Sequence, residues 1–277
     1  MKSDLFVKKH ELWLRVLFGA FSIKDEKLYD LLYDFAMIEY RHLLWLGNEL
    51  KEQNIEFDFN REQINIEYKD NFELFNSLVK EFESIKSHYG DSVMFERFLN
   101  DESYFIHKLE LLLSVEKNNK KITAFDKSRK LEDVELNDKQ LNALIMFLFE
   151  ESYKEYELIL VYTYSNFFTD SKMLSSIFFD LIYESHFHLK SFARMMSNMG
   201  LLALPRVVAK RVYQFDDLVQ FLNDGIKEEE GAKELCIKLA NEIDNEILSP
   251  FFTFINNQES YHIALMQKAL KHIEENL

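Results

Sequence analysis

The chain has very few of the residues that form turns and interrupt helices. Only 6 glycines and 2 prolines occur among 277 residues, and the scattered turn residues fall at isolated points. Glycine and proline disfavour helix interiors, so their scarcity permits long helices. With 26 phenylalanines and 13 tyrosines available for a core, the composition predicts an all-α protein.

Cysteine and positive net charge are also lacking. The single cysteine, Cys236, excludes an intrachain disulfide and a Cys-x-x-Cys metal site. A formal net charge of −15 offers no basic face for phosphates, so we expect neither nucleic acid nor an anionic membrane as a partner. No run of about 20 apolar residues and no signal-peptide core is present. These absences predict a soluble, cytoplasmic protein.

Helical periodicity covers most of the chain. The predicted helices span about residues 4–21, 22–52, 70–89, 92–116, 137–168, 170–200, from 216 onwards, and from 249 onwards. Residues 54–68 alternate between apolar and polar side chains, which predicts either a short β-hairpin or an extended crossover. Residues 118–136 are polar and aperiodic, as in a linker. The predicted domains are therefore 1–117 and 137–277.

One C-terminal stretch carries two polar residues inside an apolar helical stripe. Residues three or four apart lie on the same side of an α-helix, and Glu259 and His262 share such a face. Its other members are Leu248, Phe252, Ile255, Met266 and Ala269. A buried carboxylate is costly unless it is paired or binds a metal. Glu259 and His262 are therefore candidate metal ligands, with a buried ion pair as the alternative.

The Glu-x-x-His spacing alone is weak evidence. With 48 acidic residues and 8 histidines in the chain, chance gives about 1.4 acid-x-x-His pairs. Two occur, Glu39/His42 and Glu259/His262. Only their surroundings can therefore distinguish a metal site from coincidence.

The two halves of the chain share a motif. Residues 100–106 (Asn-Asp-Glu-Ser-Tyr-Phe-Ile) and 257–263 (Asn-Gln-Glu-Ser-Tyr-His-Ile) are identical at five of seven positions. Each half also contains helix, helix, crossover, helix, helix. We interpret the chain as two tandem four-helix units.

In the second half, each of the four helices contributes an inward-facing acid. These are Glu151, Glu184, Glu229 and Glu259. The separations within each pair, 33 and 30 residues, each fit one hairpin of two helices, so the acids can meet at one level. The flanking acids Glu150, Glu155, Glu228 and Glu230 are alternatives if the stripe is shifted.

Histidines lie one turn beyond two of these acids. His188 follows Glu184 and His262 follows Glu259. Four carboxylates and two imidazoles inside a helical core suit a pair of iron or manganese ions.

The first half has a less complete set. Glu39, His42 and Glu102 match, and Glu11 on the first helix is a further candidate. Phe105 stands where the second half has His262, so one nitrogen ligand is lost. We expect a vestigial or mononuclear site there, or a buried Glu–His pair without metal.

These residues resemble the metal-binding pattern of the ferritin-like superfamily, especially its rubrerythrin-like and bacterioferritin-like members. In that family, a Glu from each of two helices and a Glu-x-x-His from each of the other two bind a dinuclear metal centre. The resemblance implies Glu151, Glu184, Glu229 and Glu259 with His262 as ligands. Where the family has His three residues after the second Glu, this chain has Phe187, flanked by His186 and His188. A one-residue helix bulge would make His188 the ligand.

The resemblance implies a non-haem di-iron or di-manganese oxidoreductase that reduces peroxide or activates oxygen. The chain lacks a rubredoxin-type Cys-x-x-Cys pair, so electrons would come from an external donor protein. Peroxide, oxygen or a small molecule would be the substrate, and a homodimer is compatible with the pattern. The alternatives are iron storage and a ferritin-like interaction module without chemistry. Hydroxylation of tRNA is disfavoured by the acidic charge.

Overall fold

The chain folds into α-helices joined by short turns and longer irregular segments. In a computed structural model of the protein, residues 2–115, 131 and 134–276 are described. The helices are α1 (Lys2–Phe21), α2 (Glu26–Glu52), α3 (Asn71–Lys86), α4 (Val93–Val115), α5 (Asp138–Phe168), α6 (Lys172–Asn198), α7 (Lys210–Tyr213), α8 (Leu218–Ile243) and α9 (Leu248–Asn276). Within these ranges there is no strand. The predicted all-α class is confirmed.

The alternating segment between α2 and α3 contains no strand, so the predicted β-hairpin is not formed and the segment is an irregular crossover. Its apolar side chains are nevertheless buried in two pairs whose members are two residues apart, Phe57 with Phe59 and Ile64 with Ile66. Phe57 and Phe59 pack on Phe6 of α1, with ring centroids 4.6 and 5.4 Å away. The period-two pattern thus predicted the burial within each pair, while no neighbouring strand pairs with the segment in the described chain.

Side-chain caps fix where several helices begin. Asn137 and Gln140 form a capping box at the start of α5: the Asn137 side chain accepts from the Gln140 N–H, and the Gln140 side chain accepts from the Asn137 N–H. The last helix begins at Leu248, one residue before the predicted start at 249. The Asn245 side chain accepts from the Leu248 N–H, while the Ser249 hydroxyl donates to a carbonyl of α8.

The described residues form two compact units. The first contains the described part of residues 1–127 together with 200–208, and the second contains the described part of 128–199 with 209–277. Residues 200–208, which the sequence analysis placed in the second domain, thus belong to the first unit, where the Arg61 guanidinium donates to the carbonyls of Pro205 and Arg206. Most of the predicted linker, 118–136, lies outside the described residues.

In the first unit, α1 packs against α2 and α3 against α4, and the pairs meet through α1 with α3 and α2 with α4. Phe105 of α4 lies at their centre, stacked on Phe35 at 4.0 Å and close to Phe82 at 5.7 Å. Burying each such side chain stabilises the fold by about 1.5–3 kcal/mol. The residue that replaces His262 in the repeat is therefore a core residue here.

The second unit has the same pattern of helix contacts. Its α5 packs against α6 and α8 against α9, and these pairs meet through α5 with α8 and α6 with α9. Phe147 of α5 contacts Phe192 of α6 and Phe252 of α9, with centroids 5.5 and 5.2 Å apart. Buried aromatic side chains of α5, α6 and α9 therefore meet in one core. The acids and histidines set into the apolar stripes of these helices are brought into the same core.

Candidate metal centre

The central residues of the second unit come from α9. Glu259 and His262 lie one turn apart on its inner face and are 4 % and 2 % exposed. Around them, α5 contributes Glu155, α6 contributes His188 and α8 contributes Glu229, and all three are buried. The apolar stripe predicted for α9 thus has its two polar residues inside the core.

These five residues form two overlapping groups that could hold metal ions. One group is Glu155, His188 and Glu259, and the other is Glu229, Glu259 and His262. Within each group, the candidate ligand atoms all lie within 4.8 Å of one another. Glu259 belongs to both groups and therefore connects them.

His188 has one ring nitrogen toward the acids and one toward an amide. Its Nδ1 lies 2.8 Å from Oε1 of Glu155 and 3.6 Å from Oε1 of Glu259. Its Nε2 lies 3.1 Å from Oε1 of Gln258. If Nε2 carries the hydrogen and donates to Gln258, the lone pair of Nδ1 faces the carboxylates.

His262 has a similar arrangement. Its Nδ1 lies 2.9 Å from Oε2 of Glu259 and 3.4 Å from Oε1 of Glu229. Its Nε2 lies 2.7 Å from Oε2 of Glu184. Histidines that bind metals usually donate their other ring N–H to a carboxylate, carbonyl or water, which fixes the tautomer and the ring orientation. Both histidines are therefore held in the manner of metal ligands.

The protonation of the cluster reflects its burial and its negative charge. Burial lowers the pKa of His188 and of His262, but the nearby carboxylates outweigh this effect and raise the values to about 9 and about 12. Burial raises the pKa of Glu259 to about 7; the hydrogen bond with His262 opposes this rise, and the charge of the neighbouring Glu229 adds to it. Positive charge is therefore strongly favoured between these carboxylates, whether it comes from protons or from metal ions.

The structure places the predicted α5 ligand one turn away from the cluster. Glu151 is buried, but its Oε1 pairs with Nζ of Lys154 at 2.9 Å. Burial raises the pKa of Glu151, and Lys154 opposes that rise. Glu155, which follows on the same stripe, lies against His188 instead. Both residues satisfied the helical periodicity. Which of them reaches the cluster depends on how α5 is positioned along its axis relative to the neighbouring helices.

On α6, His188 and not His186 reaches the cluster. The helix runs without a bulge from Lys172 to Asn198, so the predicted one-residue bulge is wrong: His188 faces the cluster from four residues beyond Glu184 in regular geometry. His186 is also buried, at 4 % exposure, and its burial lowers its pKa to about 3. It is a neutral core residue.

The first unit brings Glu39, His42 and Glu102 together, all of them 0 % exposed. His42 repeats the pattern of the other two histidines: its Nδ1 is 3.3 Å from Oε1 of Glu39 and its Nε2 is 3.0 Å from Oδ2 of Asp101. A buried group of two carboxylates and an imidazole is therefore present in this unit too.

A lysine lies inside this first group. Nζ of Lys9 contacts Glu39, and it lies 2.8 Å from Oε1 of Glu102 and 3.4 Å from Nδ1 of His42. Burial would lower the pKa of Lys9, but the charges of Glu39 and Glu102 outweigh burial and raise it. The ammonium group therefore remains charged and fills the space among the candidate ligands.

Sequence analysis missed Lys9 and selected its neighbour on α1. Glu11 is only half-buried and belongs to none of the candidate metal-binding groups found among the described residues. Lys9 lies on a stripe with the buried residues Leu5, Leu12 and Val16, and this spacing was the available signal. It was overlooked because a lysine in a core stripe is usually assigned to the surface.

No protein-family model, curated protein or solved structure matches this chain. The chain is helical and has buried Glu/His groups that could bind metal. Within the described parts of the chain, no helix is both long enough and apolar enough to cross a membrane.

Proposed function

We propose that the second unit is a ferritin-like oxidoreductase with a dinuclear iron or manganese centre that reduces peroxide or activates oxygen. The observation that supports this proposal is the membership of Glu259 in both candidate groups. A carboxylate between two ligand sets can bridge two ions, and each set adds one further carboxylate and one imidazole. Oxygen donors with imidazole match the preferences of iron and manganese.

The proposed ligands divide between two positions. Glu155 and His188 would hold one ion, Glu229 and His262 the other, and Glu259 would bridge them. The predicted ligand Glu184 lies on the far side of His262, 2.7 Å from its Nε2, and would orient that imidazole. Gln258 would do the same for His188, with 3.1 Å between the paired atoms. Such outer partners usually affect metal affinity strongly.

Two bound iron or manganese ions would supply the electrons for reduction of peroxide or oxygen. The chain's residues would hold these ions in a core that limits water, because all five ligands are buried. Electrons would arrive from an external donor protein, since the chain has a single cysteine and no Cys-x-x-Cys pair.

We also propose that both units are ferritin-like four-helix bundles related by tandem duplication. The same helix pairings occur in both units, and the repeated Asn-x-Glu-Ser-Tyr motif places Glu102 on α4 and Glu259 on α9 in equivalent clusters. The first unit would lack the dinuclear centre, since Phe105 removes a ligand and Lys9 occupies the group.

Metal content tests this function directly. Protein produced with supplemental iron or manganese should contain about two ions per chain, measured by elemental analysis beside the visible spectrum. Glu259→Ala should remove this metal, and Glu102→Ala should change it little. Glu229→Gln should also lower the metal content. Its matched control, Glu230→Gln, should not, because Glu230 is the exposed neighbour on α8. Equal losses from Glu259→Ala and Glu102→Ala would contradict the assignment to the second unit.

Turnover then distinguishes the functions that bind metal. The loaded protein should consume peroxide or oxygen repeatedly when a chemical reductant is supplied. A single oxidation of the bound iron without turnover would favour iron storage instead. A folded protein without metal would favour an interaction module.

A further inference from the structure

A cleft in the second unit leads from the surface to the candidate metal centre. It lies between α5 and α8 and has a volume of about 770 Å³. Three of the proposed ligands, Glu155, Glu229 and Glu259, line it. Peroxide and oxygen need far less space, while this volume is typical of sites for small organic molecules.

The walls of the cleft are mostly apolar. They include Leu158 and Val161 of α5 and Phe221, Ala232 and Leu235 of α8. Gly231 widens the cleft, because a Cβ atom at this position would have no neighbour within 4 Å. An apolar ligand body can therefore lie along α5 and α8 without displacing a side chain.

The surface end of the cleft is acidic. Glu157, Glu228 and Glu234 line the cleft, the last two are exposed, and Glu157 is half-buried. Among the described residues no cation pairs with any of the three. Two lysines line the cleft. Nζ of Lys154 pairs with Oε1 of Glu151 at 2.9 Å, so Lys238 is the remaining lysine that could offset the charge of these three acids. The field at the entrance therefore attracts a cation and repels an anion.

The inner end has one further polar group. Tyr162 lines the cleft and is 1 % exposed, and its hydroxyl has no hydrogen-bond partner in the described part of the chain. Burial and then the charge of Glu229 raise the pKa of Tyr162, so the phenol stays protonated beside the carboxylates. It provides a hydrogen-bond donor at the end of an otherwise apolar wall.

We propose that the cleft binds a small amphipathic amine, with its apolar body against α5 and α8 and its ammonium group at the acidic entrance. The inner carboxylates Glu155 and Glu259 are already paired with His188 and His262, at 2.8 and 2.9 Å, so the ammonium group is placed at the surface end. The amine is then the substrate class of the metal centre. This last step rests on the proposed function, whereas binding in the cleft requires only the residues named above.

Isothermal titration calorimetry of the full chain with n-octylamine and octanoate tests the proposal. The two probes have the same chain length and opposite charges at neutral pH. Octylamine should bind at least about tenfold more tightly than octanoate, a difference of about 1.4 kcal/mol. No octylamine binding, or equal binding of both probes, would overturn the proposal.

Variants locate the binding site. Gly231→Leu should weaken octylamine binding at least about tenfold, because the new side chain extends into the cleft. The variant should still fold, because leucine is a better helix former than glycine. The double change Glu228→Gln and Glu234→Gln should weaken the amine but not octanoate, and the exposed control Glu230→Gln should change neither. Octylamine binding that survives both the Gly231 and the double variant would place the site elsewhere and overturn the proposal.

The same titrations on metal-loaded and metal-free protein separate the two proposals. Metal bound without amine binding would overturn the cleft inference and leave the metal centre intact. Amine binding that depends on Gly231 in a protein that takes up no metal would overturn the proposed function and leave the cleft as a ligand site.

Discussion

Nζ of Lys9 lies 2.8 Å from Oε1 of Glu102, at the centre of the Glu/His group of the first unit. The group otherwise has the same components as each half of the second cluster: two carboxylates and an imidazole whose Nδ1 faces inward. Lys9 thus supplies, from within the chain, the positive charge that a metal ion would supply. This relationship explains how one unit can keep buried acids without binding metal.

Replacing Lys9 by Met should open this group to a metal ion. Removing one partner of a buried ion pair costs about 3–5 kcal/mol because charge is left uncompensated. The metal-free Lys9→Met protein should therefore be less stable, and added Mn²⁺ should restore its stability. Metal content should rise by about one ion per chain, measured by elemental analysis and urea unfolding.

Lys8→Met is the matched control, since Lys8 is the exposed neighbour on α1. It should change neither the stability nor the metal content. A folded Lys9→Met protein that gains no metal, and that Mn²⁺ does not stabilise, would show that Lys9 is not a substitute for a metal ion.

Glu155 and Glu151 should differ in their effect on metal binding. Glu155→Gln removes a carboxylate 2.8 Å from Nδ1 of His188 and should lower the affinity for Mn²⁺ at least about tenfold, as even outer partners of metal ligands do. Glu151→Gln should leave the affinity nearly unchanged, since Glu151 pairs with Lys154. Calorimetric titration with Mn²⁺ measures both. A larger loss from Glu151→Gln would restore the assignment made from sequence.

The sequence predicted every helix of the described chain except the four-residue α7 (Lys210–Tyr213), because each of the longer helices buries a continuous stripe. The same periodicity indicated that Glu259 and His262 share a buried face, and the repeat directed attention to Glu102. These are local patterns, fixed by 3.6 residues per turn. The structure places Glu259 and His262 in one candidate group and Glu102 in another. That these groups bind metal remains a prediction.

Periodicity could not decide between residues on the same stripe. Glu151 and Glu155 both face inward. Which of them lies beside His188 depends on the position of α5 along its axis relative to α6, and a local sequence pattern does not contain this information. The position of Lys9 depends on Glu39 and Glu102, 30 and 93 residues away in the sequence. A buried lysine is predictable only when its two carboxylates are already known to meet.

Stability of the first unit should fall in mild acid because of His10. This residue is 0 % exposed and packs on Trp13 and Phe59. Burial, and then the charge of Arg61, holds its pKa well below the usual value. Below pH of about 6.5, the unfolded chain binds a proton that the folded chain does not, so the free energy of unfolding falls by up to about 1.4 kcal/mol per pH unit. Above that pH, the contribution is fully present.

His10→Phe should remove this part of the pH dependence. Both tryptophans of the chain, Trp13 and Trp45, lie in the first unit, so fluorescence during urea unfolding reports on that unit. The difference between the variant and the wild type should grow as the pH falls from 7 to 5. The exposed His107→Gln should follow the wild type, and a parallel pH profile for His10→Phe would contradict the explanation.

Two glycines of α8 should respond differently to replacement by alanine. Glycine inside a helix is about 0.8–1.0 kcal/mol less favourable than alanine. A Cβ atom at Gly231 meets nothing within 4 Å, whereas one at Gly225 would lie 3.1 Å from Sδ of Met266. Gly231→Ala should therefore raise the free energy of unfolding by most of that amount, measured by circular dichroism during urea unfolding. Gly225→Ala should gain less, because the Met266 side chain must move. Equal gains would mean that the space beside Gly225 is as open as the space beside Gly231.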